Sequence, residues 1–187
     1  AEAIRLGQGR NCTELFESYH SLANEELVKR TLQKFFVEDC PPNAPDFDSS
    51  FAWDETPFYN ALKRRVRSYF ADKKISHRAT SAQWAQLIFF TLASGIALLG
   101  FLNGSIAFLL LLPCFYWWGP SPCMHDGGHF SLSESPLVNK LCAHLGAAHM
   151  SLFAWQHQHT IGHHVHTNVR EKDPDLYHFT LGADAGM

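Results

Sequence analysis

Nine of the twelve histidines fall between His125 and His166, a window of 42 residues in which an even spread would put about three. A neutral imidazole offers one lone pair to a metal, so histidines this dense point first to metal ligation. They form two groups: His125-Asp126-Gly127-Gly128-His129, and His157-Gln158-His159-Thr160-Ile161-Gly162-His163-His164-Val165-His166. Residues four apart on a helix lie over one another, so His125 with His129, and His159 with His163, each present two imidazoles to one side. His164 is rotated by about 100° from His163, towards a second ion beside the first. Five nitrogen donors in two groups favour two metals over one. A sulfur-free, imidazole-rich set suits iron, zinc, copper or nickel, and the chain carries no H-E-x-x-H zinc pattern. The competing reading is a surface tract that captures metals without specificity. The more isolated His144, His149 and His166 are expected to be hydrogen-bonded core residues, and His157 divides between supporting a ligand and lying on the surface. Asp126, Asn168, Asp173 and Asp175 are candidates to orient ligand imidazoles. Asp173-Pro174-Asp175 fits a surface turn equally well.

Something must hold these groups in place, and the stretch before them is unusual. From Ala79 to Met124, 46 residues carry no Lys, Arg, Asp, Glu or His, whereas residues 1–78 carry twelve basic and twelve acidic side chains. A membrane crossing takes roughly 20 residues at about 1.5 Å each, so the run suffices for two. Asn103-Gly104-Ser105 supplies a turn, giving expected spans of about 84–102 and 105–118; one tilted span with a surface segment is the alternative. The second span is short and closes on Pro113, Tyr116, Trp117, Trp118, Pro120 and Pro122, an interfacial aromatic exit. Lys63, Arg64, Arg65, Arg67, Lys73, Lys74 and Arg78 precede the run and read as a cytoplasmic flank facing anionic headgroups. A hairpin returns the chain to its starting side, which puts both histidine groups on that same face.

Around this hairpin lie three amphipathic segments. Asn24–Val37 carries Leu27, Val28, Leu32, Phe35 and Phe36 at helical spacing behind an Asn24 cap. Pro57–Phe70 begins on a proline that suits a first turn. Leu137–Gln156, whose only charge is Lys140, suits one helix lying at the membrane surface. Between the first two, Cys40 to Asp46 contains three prolines and breaks the chain.

Composition removes other classes. With 15 Lys+Arg against 18 Asp+Glu, the net charge of −3 argues against a nucleic-acid partner. Five scattered cysteines without a C-x-x-C pair indicate neither a disulfide framework nor a Cys-ligated zinc module. Position 1 is Ala and no signal-peptide pattern follows, so the chain is expected to begin inside a longer protein.

The two histidine groups resemble the first and second histidine boxes of membrane fatty acid desaturases, the second box being Gln158 to His164 followed by Thr167-Asn168. Upstream, Arg10 to His20 is similar to the end of a cytochrome b5-like haem domain, with His20 at the second axial position, and Pro57–Phe70 resembles the pre-membrane segment of the front-end members. The resemblance implies an all-α membrane protein with a transmembrane hairpin and cytosolic histidine-box helices. It implies residues 1–40 as the tail of the haem domain, 41–56 as a linker, and 57–187 as the N-terminal part of the desaturase domain. The family's His-Pro-Gly-Gly haem ligand and its third box, Gln-x-x-His-His, are not among these 187 residues. The chain therefore resembles a fragment, expected alone neither to hold haem firmly nor to complete a di-iron site.

By the same resemblance, two irons held by His125, His129, His159, His163 and His164 use O₂ to place a double bond in a polyunsaturated acyl chain. Electrons arrive from NADH through a cytochrome b5 reductase and the haem of His20. The second-box spacing resembles the delta-5 and delta-4 subgroup, although His166 stands where that subgroup commonly has Tyr. The setting implied is multi-pass in the endoplasmic reticulum, with lipid bilayer and acyl substrate as partners. The same boxes also serve di-iron hydroxylases, and a non-enzymatic membrane metal carrier is the reading from another class; carriers usually put ionisable ligands inside their spans, and Ala79–Met124 has none.

Overall fold

The computed structural model describes residues 8–9, 11–39, 56–146 and 150–177, and among them it is entirely helical. The elements are α1 (Thr13–His20), α2 (Glu25–Gln33), α3 (Pro57–Lys73), α4 (Ser81–Leu102), α5 (Ile106–Trp118), α6 (Pro120–Gly128), α7 (Pro136–His144), α8 (Leu152–Trp155), a π-helix (Gln156–His163), α9 (His164–His166) and α10 (Pro174–Tyr177). Residues 1–73 with 158–187 form one unit and 74–157 another. All of the expected linker at 41–56 but Thr56, and His149, lie outside the described residues.

In the 74–157 unit, Thr80 caps α4 by accepting from the Gln83 amide at 3.2 Å. The helix ends at Asn103, and Gly104 takes the left-handed conformation (φ +90°) that turns the chain into α5. Two glycines let the helices meet closely. A Cβ on Gly100 would lie 2.2 Å from the Phe108 ring, and one on Gly119 would lie 2.5 Å from the Thr91 amide nitrogen. Ser81–Leu102 and Ile106–Gly128 are each long and apolar enough to cross a membrane. Their large side chains stay outside: Leu92 is 64% exposed and Leu110 70%. Burying one such side chain is worth about 1.5–3 kcal/mol. A chain folded for water would not leave a row of them uncovered, whereas in lipid they need no cover.

The apolar helical run does not stop at Trp118. The backbone bends at Gly119 (φ −120°, ψ −87°), and Pro120 then opens α6 from a first-turn position where its missing N–H costs nothing. Pro120 thus starts a helix, and the apolar helical run continues to Gly128. Leu137–Gln156 likewise is not one helix. It divides into α7 and α8, the latter restarted by Ser151, whose hydroxyl accepts from the Ala154 amide at 3.2 Å. Gly146, in the break, packs on Met124, where a Cβ would lie 2.3 Å from the Met124 side chain.

Leu87, Cys123, Leu132 and Cys142 form the core of this unit, with Trp84 and Val138 against it. The loop between α6 and α7 is fixed by Asn139, 1% exposed, which accepts from the Leu132 and Ser133 amides and donates to the Ser133 and Ser135 carbonyls. Leaving such a buried amide unpaired would cost roughly 1–3 kcal/mol. Arg78 donates to the Phe130 carbonyl in the same loop.

In the other unit, Asn24 caps α2 as its sequence predicts, accepting from the Leu27 amide at 3.1 Å. Arg67 of α3 donates to the Glu25 carboxylate at 2.7 Å and to the Ser21 and Ala23 carbonyls at 2.9 and 3.0 Å. These carbonyls follow the end of α1, where a helix leaves acceptors unsatisfied and favours a cation.

Candidate metal centre

His125 and His129 sit one turn apart at the end of α6, their ring centroids 4.7 Å apart and edge-to-face. The i,i+4 expectation holds here because the His129 amide bonds the His125 carbonyl at 3.1 Å, an ordinary α-turn. Between them, Gly127 and Gly128 are buried and both are needed. A Cβ on Gly127 would lie 2.6 Å from the Asn139 carbonyl oxygen and 2.7 Å from the Ala143 nitrogen of α7; one on Gly128 would lie 2.3 Å from the indole of Trp155. Trp155, buried, puts its ring edge-to-face with both imidazoles, at 5.7 Å from His125 and 5.1 Å from His129. His125 Nδ1 donates to the Asp126 carboxylate at 2.9 Å in a partly exposed pair.

The second cluster is built differently. Gln156–His163 is wound as a π-helix, in which hydrogen bonds close after five residues rather than four. Residues five apart therefore face each other as well as those four apart. His159 stacks on His163 at 5.2 Å and 18°, while its Nε2 lies 3.2 Å from that of His164. His164 thus joins His159 rather than standing apart from it.

Two carboxylates fix these rings. His163 Nδ1 donates to Asp173 at 2.9 and 3.1 Å, and His159 Nδ1 donates to Asp175 at 3.2 Å. Asp173 is 1% exposed and also accepts from the Asn168 and Asp175 amides at 2.8 and 2.9 Å. Burial alone would push its carboxyl up; these hydrogen bonds outweigh burial and hold it below the usual carboxylate value. The chain wraps round it through Asn168 and Glu171, both in the left-handed region (φ +61° and +68°). Asp173 and Asp175 are therefore imidazole partners and not a bare surface turn, and Asn168 contributes through its backbone.

Chemically this set fits a metal. Nδ1 protons committed to carboxylates leave the lone pairs of His159 and His163 on Nε2. Two nitrogens bound side by side to one ion at about 2.1 Å sit about 3 Å apart, close to the separation of His159 and His164. His163, Asp173 and Asp175 also bring ligand atoms within 4.8 Å of one another.

The remaining histidines sort by exposure. His144, expected in the core, is exposed at the end of α7, where helix geometry turns it from the Cys142–Ala143 face. His166 is half-buried. His157 is exposed, donates to the Phe153 carbonyl at 3.0 Å and lies tilted against that residue's ring, which makes it local to the surface. His20 ends α1, stacks on Phe16 at 4.0 Å and donates from Nδ1 to the Phe16 carbonyl at 2.7 Å. That leaves its Nε2 as the acceptor, as an iron ligand requires. Trp155 and the Gly127-Gly128 packing have no signal in the sequence beyond two glycines set between two histidines.

Residues 99–186 match the family described as Fatty acid desaturase. The chain is 33% identical to an acyl-lipid omega-13 desaturase of Chlamydomonas reinhardtii, covering 94% of this chain and 42% of that protein. It is 32% identical to an acyl-lipid (8-3)-desaturase of Mortierella alpina, over 95% of this chain and 41% of the relative. A Delta(5) fatty acid desaturase A of Dictyostelium discoideum is 33% identical over 94% of this chain and 38% of its own length. The chain thus spans about two fifths of the relatives it matches. No solved structure matches it.

Proposed function

From the premise that this chain belongs to the fatty acid desaturase family, we propose that its two histidine clusters help hold the two irons of a front-end acyl desaturase of the delta-5 or delta-4 kind. The carrying observation is the second cluster, where His159, His163 and His164 converge while a half-buried and a buried carboxylate hold the Nδ1 protons of His159 and His163. An unactivated methylene C–H is neither acidic nor polar, so no side chain removes its hydrogen by proton transfer; bound iron would supply that oxidising chemistry from O₂. What the chain's own residues do is orient. Asp173 and Asp175 fix ring rotation and tautomer at His163 and His159, and Trp155 with the two glycines fixes His125 and His129 by packing. The exposed apolar faces of α4 and α5 would keep the His125 and His129 cluster of the same unit beside lipid, where acyl chains are found.

His20 would help hold a haem, which would supply one-electron chemistry fed by a nicotinamide-dependent cytochrome b5 reductase. The clusters would face the cytosol from the endoplasmic reticulum. The test uses the full-length protein expressed in a host supplied with polyunsaturated acyl substrates. The purified protein is expected to contain about two irons beside haem, and lipid analysis to show a new double bond on the carboxyl side of an existing one. A hydroxylated product would move the reading to the sister enzyme, and metal flux in liposomes without O₂ consumption to a carrier.

A further inference from the structure

The cations ahead of the apolar run read in sequence as one basic flank, but the structure divides them. Three are spent inside the protein: Lys63 lies 3.8 Å from Glu17 and 4.7 Å over the Tyr59 ring, Arg67 holds Glu25 and the Ser21 and Ala23 carbonyls, and Arg78 donates to the Phe130 carbonyl. Arg64, Arg65, Lys73 and Lys74 are exposed. The helix α3 is divided in the same way. At about 100° per residue, the half-buried Tyr59, Lys63, Val66, Arg67 and Phe70 share one side, whose two cations bond to α1, α2 and the turn between them. Turned about 120° from that side, Phe58, Leu62, Arg65 and Tyr69 fall within an arc of about 60°. Phe58 is 80% exposed, Leu62 46% and Tyr69 55%. Lys73 closes this stripe one turn beyond Tyr69, next to Asp72, the one acid in the helix.

Large apolar side chains lined up on one face call for a cover. Chain connection and charge name the same one. Only residues 74–80 separate α3 from α4, which is long and apolar enough to cross a membrane, and seven extended residues reach at most about 25 Å. A bilayer surface is therefore always within reach of this helix. Apolar side chains interleaved with Arg and Lys are what a helix lying in the plane of that surface needs, since the cationic stems run along apolar groups and the heads meet phosphate. Tyr favours the same depth. Three exposed cations on α3 against one acid favour anionic headgroups over neutral ones.

We propose that α3 docks on the bilayer through Phe58, Leu62 and Tyr69, with Arg65 and Lys73 on the headgroups of anionic phospholipids, while its opposite side holds α1 and α2. The segment that ends in His20 is then seated on a helix that itself rests on lipid.

The test uses the full-length protein in nanodiscs of phosphatidylcholine, alone or with phosphatidylserine added. Hydroxyl-radical labelling of Phe58 and Tyr69 and hydrogen exchange over residues 57–73 are compared between the two lipids. Phosphatidylserine is expected to slow both about fivefold, and high salt to reverse the effect. Arg65→Gln combined with Lys73→Gln should abolish the response to phosphatidylserine, whereas Lys63→Gln, on the opposite side, should leave it intact. Phe58→Ser combined with Leu62→Ser should raise Tyr69 labelling in either lipid. Labelling equally fast in both lipids leaves the face in water, and labelling equally slow in both gives it a cover of protein; either result overturns the proposal, as does an unchanged response in the Arg65 and Lys73 variant. No step of this test needs iron, haem or substrate. Its failure therefore leaves the desaturase reading standing, and a protein without iron or new double bonds leaves the docking face standing.

Discussion

The two histidine clusters hold the same kind of donor by opposite means. At His125 and His129 an ordinary α-turn aligns the rings, and packing secures them: two glycines admit α7 and the Trp155 indole, and the carboxylate paired with His125, Asp126, is half exposed. At His159, His163 and His164 the winding is unusual and hydrogen bonds secure the rings, with Asp173 buried beneath them. Shape fixes the first cluster and charge the second. Each should therefore fail to a different kind of substitution.

The largest effect is expected from His163→Ala, which removes a proposed ligand from the charge-held cluster: new double bonds fall below detection and iron content drops in the full-length protein. Wild-type product would break the comparison at its root. Next comes Asp173→Asn, expected to weaken metal binding about 10- to 100-fold by releasing the His163 ring. Its counterpart Asp126→Asn should change binding by less than about threefold, because an exposed pair contributes little. Equal losses would show that the first cluster also depends on charge.

Glycine substitutions reverse the order. Gly127→Ala and Gly128→Ala should each lower stability by about 1–3 kcal/mol in thermal unfolding in detergent. Adding Trp155→Leu should relieve Gly128→Ala, whose Cβ meets the indole, and leave Gly127→Ala unrelieved, since its Cβ meets backbone. The smallest effect serves as a reference outside both clusters. Arg67, by hydrogen bond and charge, holds the Glu25 carboxyl below its usual value. A lowered carboxyl contributes stability above the unfolded value, about pH 4.3, and loses it as pH falls through the folded one. Arg67→Gln should flatten that acid limb slightly, read as the difference in unfolding midpoint between neutral and acid pH.

What the sequence revealed follows what is local. The Asn24 cap, the turn at Gly104 and the His125–His129 alignment each depend on a few neighbouring residues, and each is present. The apolar hairpin was legible because 46 uncharged residues admit few other uses. Helix resumes past Trp118 because Pro120 occupies a helix position that tolerates it, which periodicity does not distinguish from an ending. His144 misled for a related reason, since its burial depends on which side of α7 meets α6. The role of Asp173 depends on a loop folding back across ten residues, and the π-winding gives no pattern that an α-helical count would register.

That winding bears on how such a site can vary. With His164 opposite His159 across five residues, dropping one of the intervening Ile161 or Gly162 would place the same two histidines four apart. An ordinary helix would then reproduce the facing of that pair, with His159 and His163 brought to three apart. For that pair, spacings of five in a π-helix and four in an α-helix are two solutions to one geometry, the difference being taken up by the pitch of the backbone.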